Sequence, residues 1–413
     1  MRLGEQKRGE VSDFAVVSLS AKYSTFPGHP PATFFRPSNQ VVTAMRDSED
    51  KLRLMVWEIS NTGVPDVIAN VSTEGTIKKV SIARVASNRV VTAVRESGDS
   101  LRLTVWDISN NGRTITKLGT RTSAKIFDVD IAGEPDFTQD SPYNGRVFTA
   151  ARNTGGNLFV AEWRVKPNGQ ILAPTTKVYG PISQIDVKSS EQADYLISVA
   201  MRDSEEKLRL ISFTESNPGI RRRGGLGTGG KISYVKTSGF SFGGDLFTAT
   251  ISEGPIGIRT GLFGGQRLLV DAGLLKIIWW RHNHPPNTAP VDIDPDRKDE
   301  FEVGATDGLA VTADVMNVLN PSNTLDAAIV TVHAGFGSYR KALRNDQGKP
   351  RLQLIAWSTW TQELKKTTQA TLGGEYTQVE MAPLRPVGES ARFVSVMRGI
   401  RGELKLVVWA LNP

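Results

Sequence analysis

The sequence contains no cysteine and no long hydrophobic segment. Without cysteine the protein has no disulfide bond, no thiol nucleophile and no thiolate ligand for a metal ion. No apolar run approaches the ~20 residues that a transmembrane helix needs. Residues 1–8 are charged and have no apolar core, so they do not form a signal peptide. We therefore expect a cytoplasmic protein, or a secreted protein whose leader has been removed.

The motifs of the common catalytic sites are also absent. The sequence has no phosphate-binding Gly-Lys-Ser/Thr loop, no serine elbow between a strand and a helix, and no His-Glu-x-x-His helix. The glycine-rich segment 224–230 is interpreted as a basic surface loop, because no helix follows it to complete a phosphate cradle. The formal net charge of +7 mildly favours an anionic partner. Lysine and arginine are nevertheless spread along the chain, and nucleic acid is not expected as a partner.

What the sequence does contain is a repeat. A β-branched run that ends in Thr-Ala and an arginine leads through a short turn into a second run that ends in tryptophan, about every 50 residues. The threonine or its equivalent, here called the anchor, is Thr43, Thr92, Thr149, Val199, Thr248, Thr312 and Ser395. The aromatic residue of each unit is Trp57, Trp106, Trp163, Phe213, Trp280, Trp357 and Trp409. In five units the two residues are 14 positions apart, so the hairpin between them has a fixed length.

Each unit holds four short strand-like runs and shows no 3.6-residue periodicity. Four strands per unit are typical of a propeller blade. The sequence therefore predicts an all-β fold, a seven-bladed β-propeller of four-stranded antiparallel blades in one domain, 1–413. The expected blades are 11–71, 77–118, 124–179, 181–222, 231–293, 300–371 and 376–413, with 1–8 added to the last. The N-terminal strand would join the last blade, close the ring and remove an exposed strand edge.

The repeated hairpin resembles the WD-repeat family, in which a turn leads into a strand that ends in Trp-Asp. Residues 105–108 read Val-Trp-Asp-Ile, and residues 56–59 read Val-Trp-Glu-Ile. The resemblance covers only the hairpin of each unit, and the Gly-His pair that is typical before the inner strands is missing. It implies the propeller architecture and a scaffold without enzymatic activity.

Two series of residues run through the units, and each has a structural and a functional interpretation. The aromatic series either packs between blades, which we favour, or forms a ring of platforms for sugars. The arginine series is Arg46, Arg95, Arg152, Arg202 and Arg398. These arginines either brace the hairpin turn through the acid that often follows them, which we favour, or bind a carboxylate or phosphate. Units five and six break this series, with Ile251 and Val315 at the arginine position.

Units five and six also carry long insertions between their second and third strands. With Thr312 as the sixth anchor, the loops are 252–273 and 317–350, and equivalent loops of neighbouring blades project from one face. Loops on a rigid scaffold often carry function, so we expect the ligand here. The candidate ligand-binding residues are Arg259, Arg267, His333, Tyr339, Arg340 and Arg344. Residues 327–332 in the second loop are interpreted as an extra strand or an extended hairpin.

An acidic segment, residues 292–300, joins units five and six and is expected on the same face. Asp292, Asp294 and Asp296 have the alternate spacing with which a loop can wrap oxygen ligands around calcium. The glycine of an EF-hand loop is missing, and Pro295 occupies the middle of the segment. A solvated acidic turn is the favoured interpretation and a calcium site is the alternative. No other cofactor is expected.

These features predict a non-enzymatic binding propeller that recognises a glycan or a protein through the loops of blades five and six. An anionic ligand is one option. Enzymatic activity stays open. One alternative is a propeller hydrolase or lyase that acts on a polymeric or acidic substrate, with charged residues of the same loops as general acid and base. The other alternative is a structural assembly subunit in which the long loops are subunit contacts.

Overall fold

A computed structural model describes most of the chain. The described residues are 2–24, 33–135, 145–189, 197–215, 220–238, 245–252, 257–261, 267–271, 275–281, 296–302, 310–317, 327–333, 351–358, 365–374, 376–388, 390–399 and 401–411. Every regular element in these ranges is a β-strand, so the predicted all-β class is confirmed. Within the same ranges, no helix has the length and hydrophobicity needed to cross a membrane.

The strands form four-stranded antiparallel sheets from consecutive parts of the chain. The first sheet contains β1 (Arg2–Ser24), β2 (Thr33–Asp47), β3 (Lys51–Ile59) and the first half of β4 (Pro65–Ala86). The second contains the rest of β4, β5 (Arg89–Glu96), β6 (Ser100–Ser109) and the first half of β7 (Thr114–Pro135). The third contains the rest of β7, β8 (Gly145–Asn153), β9 (Asn157–Val165) and the start of β10 (Thr175–Ser189). The fourth contains the rest of β10, β11 (Ile197–Asp203), β12 (Lys207–Glu215) and most of β13 (Ile220–Thr237).

Three further sheets follow within the described residues. The chain forms β14 (Asp245–Ser252), a hairpin of β15 (Gly257–Gly261) and β16 (Arg267–Asp271), β17 (Leu275–Arg281) and β18 (Asp296–Glu302). The end of β13 with β14, β17 and β18 makes the fifth sheet. The sixth contains β19 (Ala310–Asn317), β20 (Ala327–His333), β21 (Arg351–Ser358) and β22 (Lys365–Gly373). The seventh contains β23 (Tyr376–Val387), β24 (Ser390–Gly399), β25 (Glu403–Leu411) and the start of β1. The first strand of each sheet in chain order, which for the seventh sheet is β23, is called its inner strand below.

Five long strands, β1, β4, β7, β10 and β13, each serve two sheets. In β4, Thr76 pairs with Lys51 of the first sheet, and the next residue, Ile77, pairs with Glu96 of the second. A strand that completes one sheet and opens the next places the two sheets side by side. The same continuity in β13 corrects one sequence interpretation. The glycine-rich segment 224–230 lies in this strand, and its residues 224–227 pair with β12, because backbone hydrogen bonds hold a ladder whatever the side chains are.

The sixth sheet differs from the sequence prediction in its second strand. Thr312, taken as the sixth anchor, lies on the inner strand β19, and β20 is the second strand because it pairs with both β19 and β21. Residues 327–332 are therefore part of the regular sheet and are not an added hairpin. The prediction was wrong because an Ala-Val-Thr-Ala run occurs in this inner strand and is missing from the true second strand.

The strand register relocates the repeat positions of this unit. In the other sheets the anchor lies two residues after the partner of the aromatic residue, as with Val90, the partner of Trp106. Trp357 pairs with Ala327, which places the sixth anchor at Ile329. The arginine position then falls at Val332 instead of Val315.

The turns between second and third strands tie each sheet to the next. The last turn residue has a positive φ, at Asp50, Asp99, Gly156, Glu206 and Gly402. Its carbonyl accepts a hydrogen bond from the first inner-strand residue of the following sheet, as from Ile126 N to Asp99 O at 2.8 Å. The equivalent bond from Val11 N to Gly402 O, 2.6 Å long, links the seventh sheet to the first. A left-handed residue turns its carbonyl out of the hairpin, which makes this contact available.

Apolar side chains fill the seams between successive sheets. Leu103 and Val105 of the second sheet share one cluster with Val129 and Trp163 of the third. Another cluster contains residues of both the first and the seventh sheet, among them Trp57 and Val408. The core is therefore divided into seams between sheets, as expected for repeats that cannot bury their apolar faces alone.

The N-terminal strand belongs to two sheets. The first part of β1 pairs antiparallel with β25, with Arg2 opposite Trp409 and Arg8 opposite Leu404. From Val11 onward the same strand pairs with β2. The two ends of the chain are therefore hydrogen-bonded to each other in one sheet.

Candidate functional site

The tryptophans of the repeat are buried in the seams and hydrogen-bonded to the anchors. The indole Nε1 of Trp106 donates to Thr92 Oγ1 at 2.9 Å, and that of Trp409 donates to Ser395 Oγ at 2.7 Å. The same bond joins Trp57 to Thr43, Trp163 to Thr149 and Trp280 to Thr248. All five tryptophans are at most 2% exposed. A buried indole needs an acceptor for its N–H, so the packing interpretation is confirmed and these rings are not sugar platforms.

The fourth unit supports this explanation of the anchor. Its aromatic residue is Phe213, which is fully buried and has no polar hydrogen to donate. Its anchor is Val199, equally buried and without a hydroxyl group. The donor and the acceptor are thus missing together, since either one alone would leave a buried polar group without a partner.

Three arginines of the series, Arg46, Arg95 and Arg202, brace the hairpin turns as favoured from the sequence, but through a different acid. Arg95 Nη2 lies 2.7 Å from Asp99 Oδ1, and Arg202 Nη2 lies 2.7 Å from Glu206 Oε1, in each case four residues further on. The acid that directly follows the arginine caps the turn instead, since Asp203 Oδ1 accepts two backbone N–H groups there. Each ion pair thereby holds the positive-φ residue whose carbonyl contacts the next sheet.

One edge of the sheets carries these turns and both insertions, and it is called the hairpin face. Its turns are residues 47–51, 96–100, 153–157, 203–207 and 399–403. In the fifth sheet the turn is replaced by residues 253–274, which contain the β15–β16 hairpin. In the sixth sheet it is replaced by residues 334–350, between β20 and β21. The two long insertions therefore start from the same edge of neighbouring sheets.

The structure places the predicted ligand residues only in part. Arg259 pairs with Leu269 in the β15–β16 hairpin, and Arg267 pairs with Gly261 at the end of that hairpin. His333 is the last residue of β20, where the second insertion begins. Tyr339, Arg340 and Arg344 lie outside the described residues.

The second predicted loop, 317–350, is divided by β20. Ala310 pairs with His333 at the hairpin face, and Asn317 pairs with Ala327 at the opposite edge. β19 therefore ends and β20 begins at the opposite edge, whereas β20 ends and β21 begins at the hairpin face. This division is a correction that follows from the strand assignment in the sixth sheet.

The acidic segment also differs from its predicted place. Asp296 begins β18 and pairs with Arg281, at the end of the fifth sheet opposite the hairpin face. Asp292 and Asp294 precede that strand and lie outside the described residues. Among the residues that are described, no group of three His, Asp or Glu side chains is placed to hold a metal ion. The calcium site stays a prediction, separate from the two insertions.

The inner strands of the second to seventh sheets bring together polar side chains, most of them charged, that the repeat pattern did not indicate. At equivalent register positions, opposite Ala93, Ala150, Ala200, Ala249, Val330 and Val396, the inner strands carry Ser81, Asp130, Asp186, Lys236, Asp314 and Glu380. Lys236 Nζ lies 2.7 Å from Glu380 Oε1 and 3.1 Å from Asp186 Oδ1. One ammonium group therefore bridges the fourth and the seventh sheets.

Several of these carboxylates also cap the inner strand of the next sheet. Asp130 Oδ2 accepts the N–H of Val187 at 2.7 Å, and Asp186 Oδ2 accepts the N–H of Thr237 at 2.7 Å. Asp314 Oδ2 accepts the N–H of Met381 in the same way. These bonds satisfy N–H groups on the free edges of the inner strands, so the carboxylates hold neighbouring sheets together.

The pKa values of the buried groups in this network are shifted in different directions. Burial raises the pKa of Asp314 to about 7, with the Glu380 charge acting in the same direction, and burial raises the pKa of Asp186 to about 6. Burial also opposes the charges of Lys236 and Asp130, but their partners outweigh it. The pKa of Lys236 lies well above its ordinary value because of Asp186 and Glu380. The pKa of Asp130 is lowered by the nearby lysines and by its hydrogen bonds.

A sequence signal for this network existed. Residues 184–188 alternate Gln-Ile-Asp-Val-Lys, and residues 378–380 read Gln-Val-Glu. Alternate residues of a strand face the same side, so polar residues at alternate positions in an otherwise apolar strand indicate a shared polar surface.

A hydroxyl pair also joins two neighbouring inner strands. The hydroxyl group of Thr312 lies 3.0 Å from that of Tyr234, on the same side of the two strands.

Comparison with known proteins identifies the fold. No protein-family model matches the chain, and no curated protein matches its sequence. The structure is similar to Sqt1 of Saccharomyces cerevisiae, with TM-score 0.50, 10% identity, and 100% of this chain and 99% of that chain covered. It is similar to the WD40 domain of Toxoplasma gondii coronin, with TM-score 0.52, 11% identity, and 99% and 89% covered. The six-bladed Aleuria aurantia lectin has a TM-score of 0.48 at 10% identity, with 88% and 97% covered, which is too low to inform on fold or ligand.

The protein thus belongs structurally to the β-propellers. Within that class its sheets and its repeated hairpin are of the WD-repeat-like type, as the resemblance of the sequence implies. At 10–11% identity the similarity extends to the fold and not to a ligand.

Proposed function

We propose that the protein is a non-enzymatic binding scaffold, a closed seven-bladed propeller that recognises a protein or a glycan through its hairpin face. Closure is supported by three contacts between the ends of the chain. β1 pairs with β25, Val11 N donates to Gly402 O, and Arg398 Nε donates to Val11 O at 2.6 Å. A closed ring leaves no free strand edge and gives a rigid platform for loops.

The observation that carries the binding face is the pair of insertions on one edge. Five sheets have a short turn there, whereas neighbouring sheets five and six have residues 253–274 and 334–350. The first insertion forms its own hairpin, which pairs with no other described strand. It carries Arg259 and Arg267, and His333 opens the second insertion. Loops on a rigid scaffold are the usual place of a recognition site.

The inner-strand network does not favour the hydrolase or lyase alternative. Asp186 and Asp314 have raised pKa values, which catalytic acids often have. Each of them, however, accepts a backbone N–H of the next sheet, and Asp186 also faces Lys236. These contacts engage the carboxylates in holding the sheets together, and the binding proposal uses none of them.

The test compares the full chain with a trimmed variant in which 253–274 and 334–350 are each replaced by Asp-Ser-Glu-Asp, the sequence of the first turn. Both proteins are screened on a glycan array and in quantitative affinity purification from the organism that encodes the chain. We expect the trimmed protein to fold, with an unchanged melting temperature within a few degrees, and to lose the ligands of the full chain. A ligand bound equally by both proteins, or turnover of a bound ligand, would contradict the proposal.

A further inference from the structure

Arg152 is the member of the arginine series whose usual partners are replaced. In the fourth sheet, Arg202 contacts Glu206 Oε1 at 2.7 Å, Ile232 O at 2.6 Å and Ser183 Oγ at 3.4 Å. Arg398 of the seventh sheet has Gly402 at the acid position, but it keeps the other two contacts, to Val11 O and to Thr377 Oγ1. Arg202 and Arg398 therefore share a carbonyl and a hydroxyl acceptor, and Arg95 has a carbonyl and an acid.

In the third sheet both side-chain partners are changed. The acid position is Gly156, and the hydroxyl position on the inner strand is Phe127. Within the described residues, Arg152 has no hydrogen bond and no ion pair, and its buried Nε is without an acceptor. Its one described contact is the Phe127 ring, with the guanidinium carbon 5.4 Å from the ring centroid. A guanidinium group has five donors, so Arg152 retains nearly all of its capacity for an anion.

Phe127 gives this place a second unusual property. Its ring is 38% exposed, which makes it one of the few large apolar side chains at the described surface. Arg95 of the second sheet also lies beside the ring, at 5.6 Å, but its charge is paired with Asp99. An exposed aromatic ring next to an uncompensated arginine is the combination enriched at the centre of protein interfaces.

We propose that Arg152 binds a carboxylate of an acidic segment of a partner protein, with Phe127 as the apolar contact beside it. The site lies on the hairpin face, so the proposal rests on that face being the binding face and names one class of partner. An acidic side chain supplies both a carboxylate for the guanidinium fork and methylene groups for the exposed ring. A phosphate or sulfate ion would use only the first of these two features.

The sharpest test restores the missing acid. At Gly156, φ is +78°, and an added Cβ would meet no atom within 4 Å. Asp50 and Asp99 occupy the equivalent turn position with φ of 61° and 67°. Gly156→Asp should therefore fold normally and pair with Arg152 as Asp99 pairs with Arg95. It removes the free guanidinium without removing the arginine.

Binding is measured by fluorescence anisotropy with a labelled peptide of alternating glutamate and leucine, and with the same peptide carrying glutamine for glutamate. We expect Gly156→Asp and Arg152→Gln each to raise the Kd of the acidic peptide about tenfold, the effect of one lost charge-assisted pair. Phe127→Ser should weaken binding similarly, because it removes the ring and offers the guanidinium a hydroxyl like that of Ser183. Arg202→Gln is the matched control, which should lower the melting temperature and leave the Kd unchanged.

Two results would overturn the proposal. One is equal affinity of the unaltered protein and Gly156→Asp for the acidic peptide, with both proteins folded. The other is displacement of the peptide by sulfate at equal concentration and ionic strength, which would show a general anion site. The trimmed variant distinguishes this proposal from the function proposed above. It keeps Arg152 and should bind the peptide normally, even though it loses the ligands of the two insertions.

Discussion

Polar groups are buried both in the seams between sheets and on the inner strands. In the seams their hydrogen-bond partners lie in the same sheet, whereas on the inner strands the partners lie in another sheet. In a seam, the indole of Trp106 finds its acceptor in Thr92 of the same sheet, within one hairpin. On the inner strands, Asp186 finds its partners in Thr237 and Lys236 of the next sheet. The seam contact is complete inside one repeat unit, so it can recur unchanged from unit to unit. The inner-strand contact needs a complementary residue on another unit, so the residue types vary around the molecule.

The largest effect is expected from a large cavity in a seam. Trp106→Ala removes a side chain that is 2% exposed and should lower the free energy of unfolding by roughly 3–5 kcal/mol. The measurement is urea unfolding followed by circular dichroism. Unchanged stability together with loss of carbohydrate binding would mean that the ring is a ligand platform after all. Trp106→Phe is the milder companion, because it keeps most of the buried area.

A smaller effect is expected when only the hydrogen bond of the seam is broken. Thr92→Val leaves the Trp106 N–H buried without an acceptor and should cost about 1–3 kcal/mol. The double variant Thr92→Val with Trp106→Phe reproduces the natural pair of Val199 and Phe213. It should lose less stability than the sum of the two single changes, as a double-mutant cycle would show. Strict additivity would mean that the hydroxyl and the indole are not coupled.

The third effect depends on pH and concerns the inner strands. Burial raises the pKa of Asp314 to about 7, above the ordinary value of 3.8. The stability that this carboxyl group contributes is therefore present below about pH 4 and is lost as the pH rises through about 7. Asp314→Asn keeps an acceptor for the Met381 N–H but cannot ionise. Its stability relative to the unaltered protein should rise between pH 5 and pH 8, with a slope of at most about 1.4 kcal/mol per pH unit.

Asp130, whose pKa is shifted in the opposite direction, serves as the control. Its pKa is lowered in the folded protein, because Lys188, Lys236 and its hydrogen bonds outweigh burial. Asp130→Asn should therefore lower stability at neutral pH, and the difference should shrink as the pH falls through the folded pKa. If both variants showed the same pH dependence, the contrast between the two carboxyl groups would be refuted.

The sixth unit shows where sequence reasoning reached its limit. The spacing of Thr312 and Trp357 suggested one very long loop, but the hydrogen-bonded ladder places β20 between them. A short β-branched run is compatible with any strand of a sheet, and only pairing decides which strand it is. The same limit applied to the glycine-rich segment, whose side chains argue against a strand although β12 pairs with it.

The sequence by itself determined the repeat, the four strands of every unit except the sixth, the all-β class and the packing role of the tryptophans. Each of these depends on contacts within one hairpin or on a pattern that recurs along the chain, so local spacing is sufficient to reveal it. Only the tertiary structure decided which inner-strand charges meet, and that Arg152 lacks the partners of Arg202. Those contacts join residues of different sheets, such as Lys236 and Glu380, which lie 144 positions apart. Their complementarity depends on the packing of whole sheets, which no local pattern records.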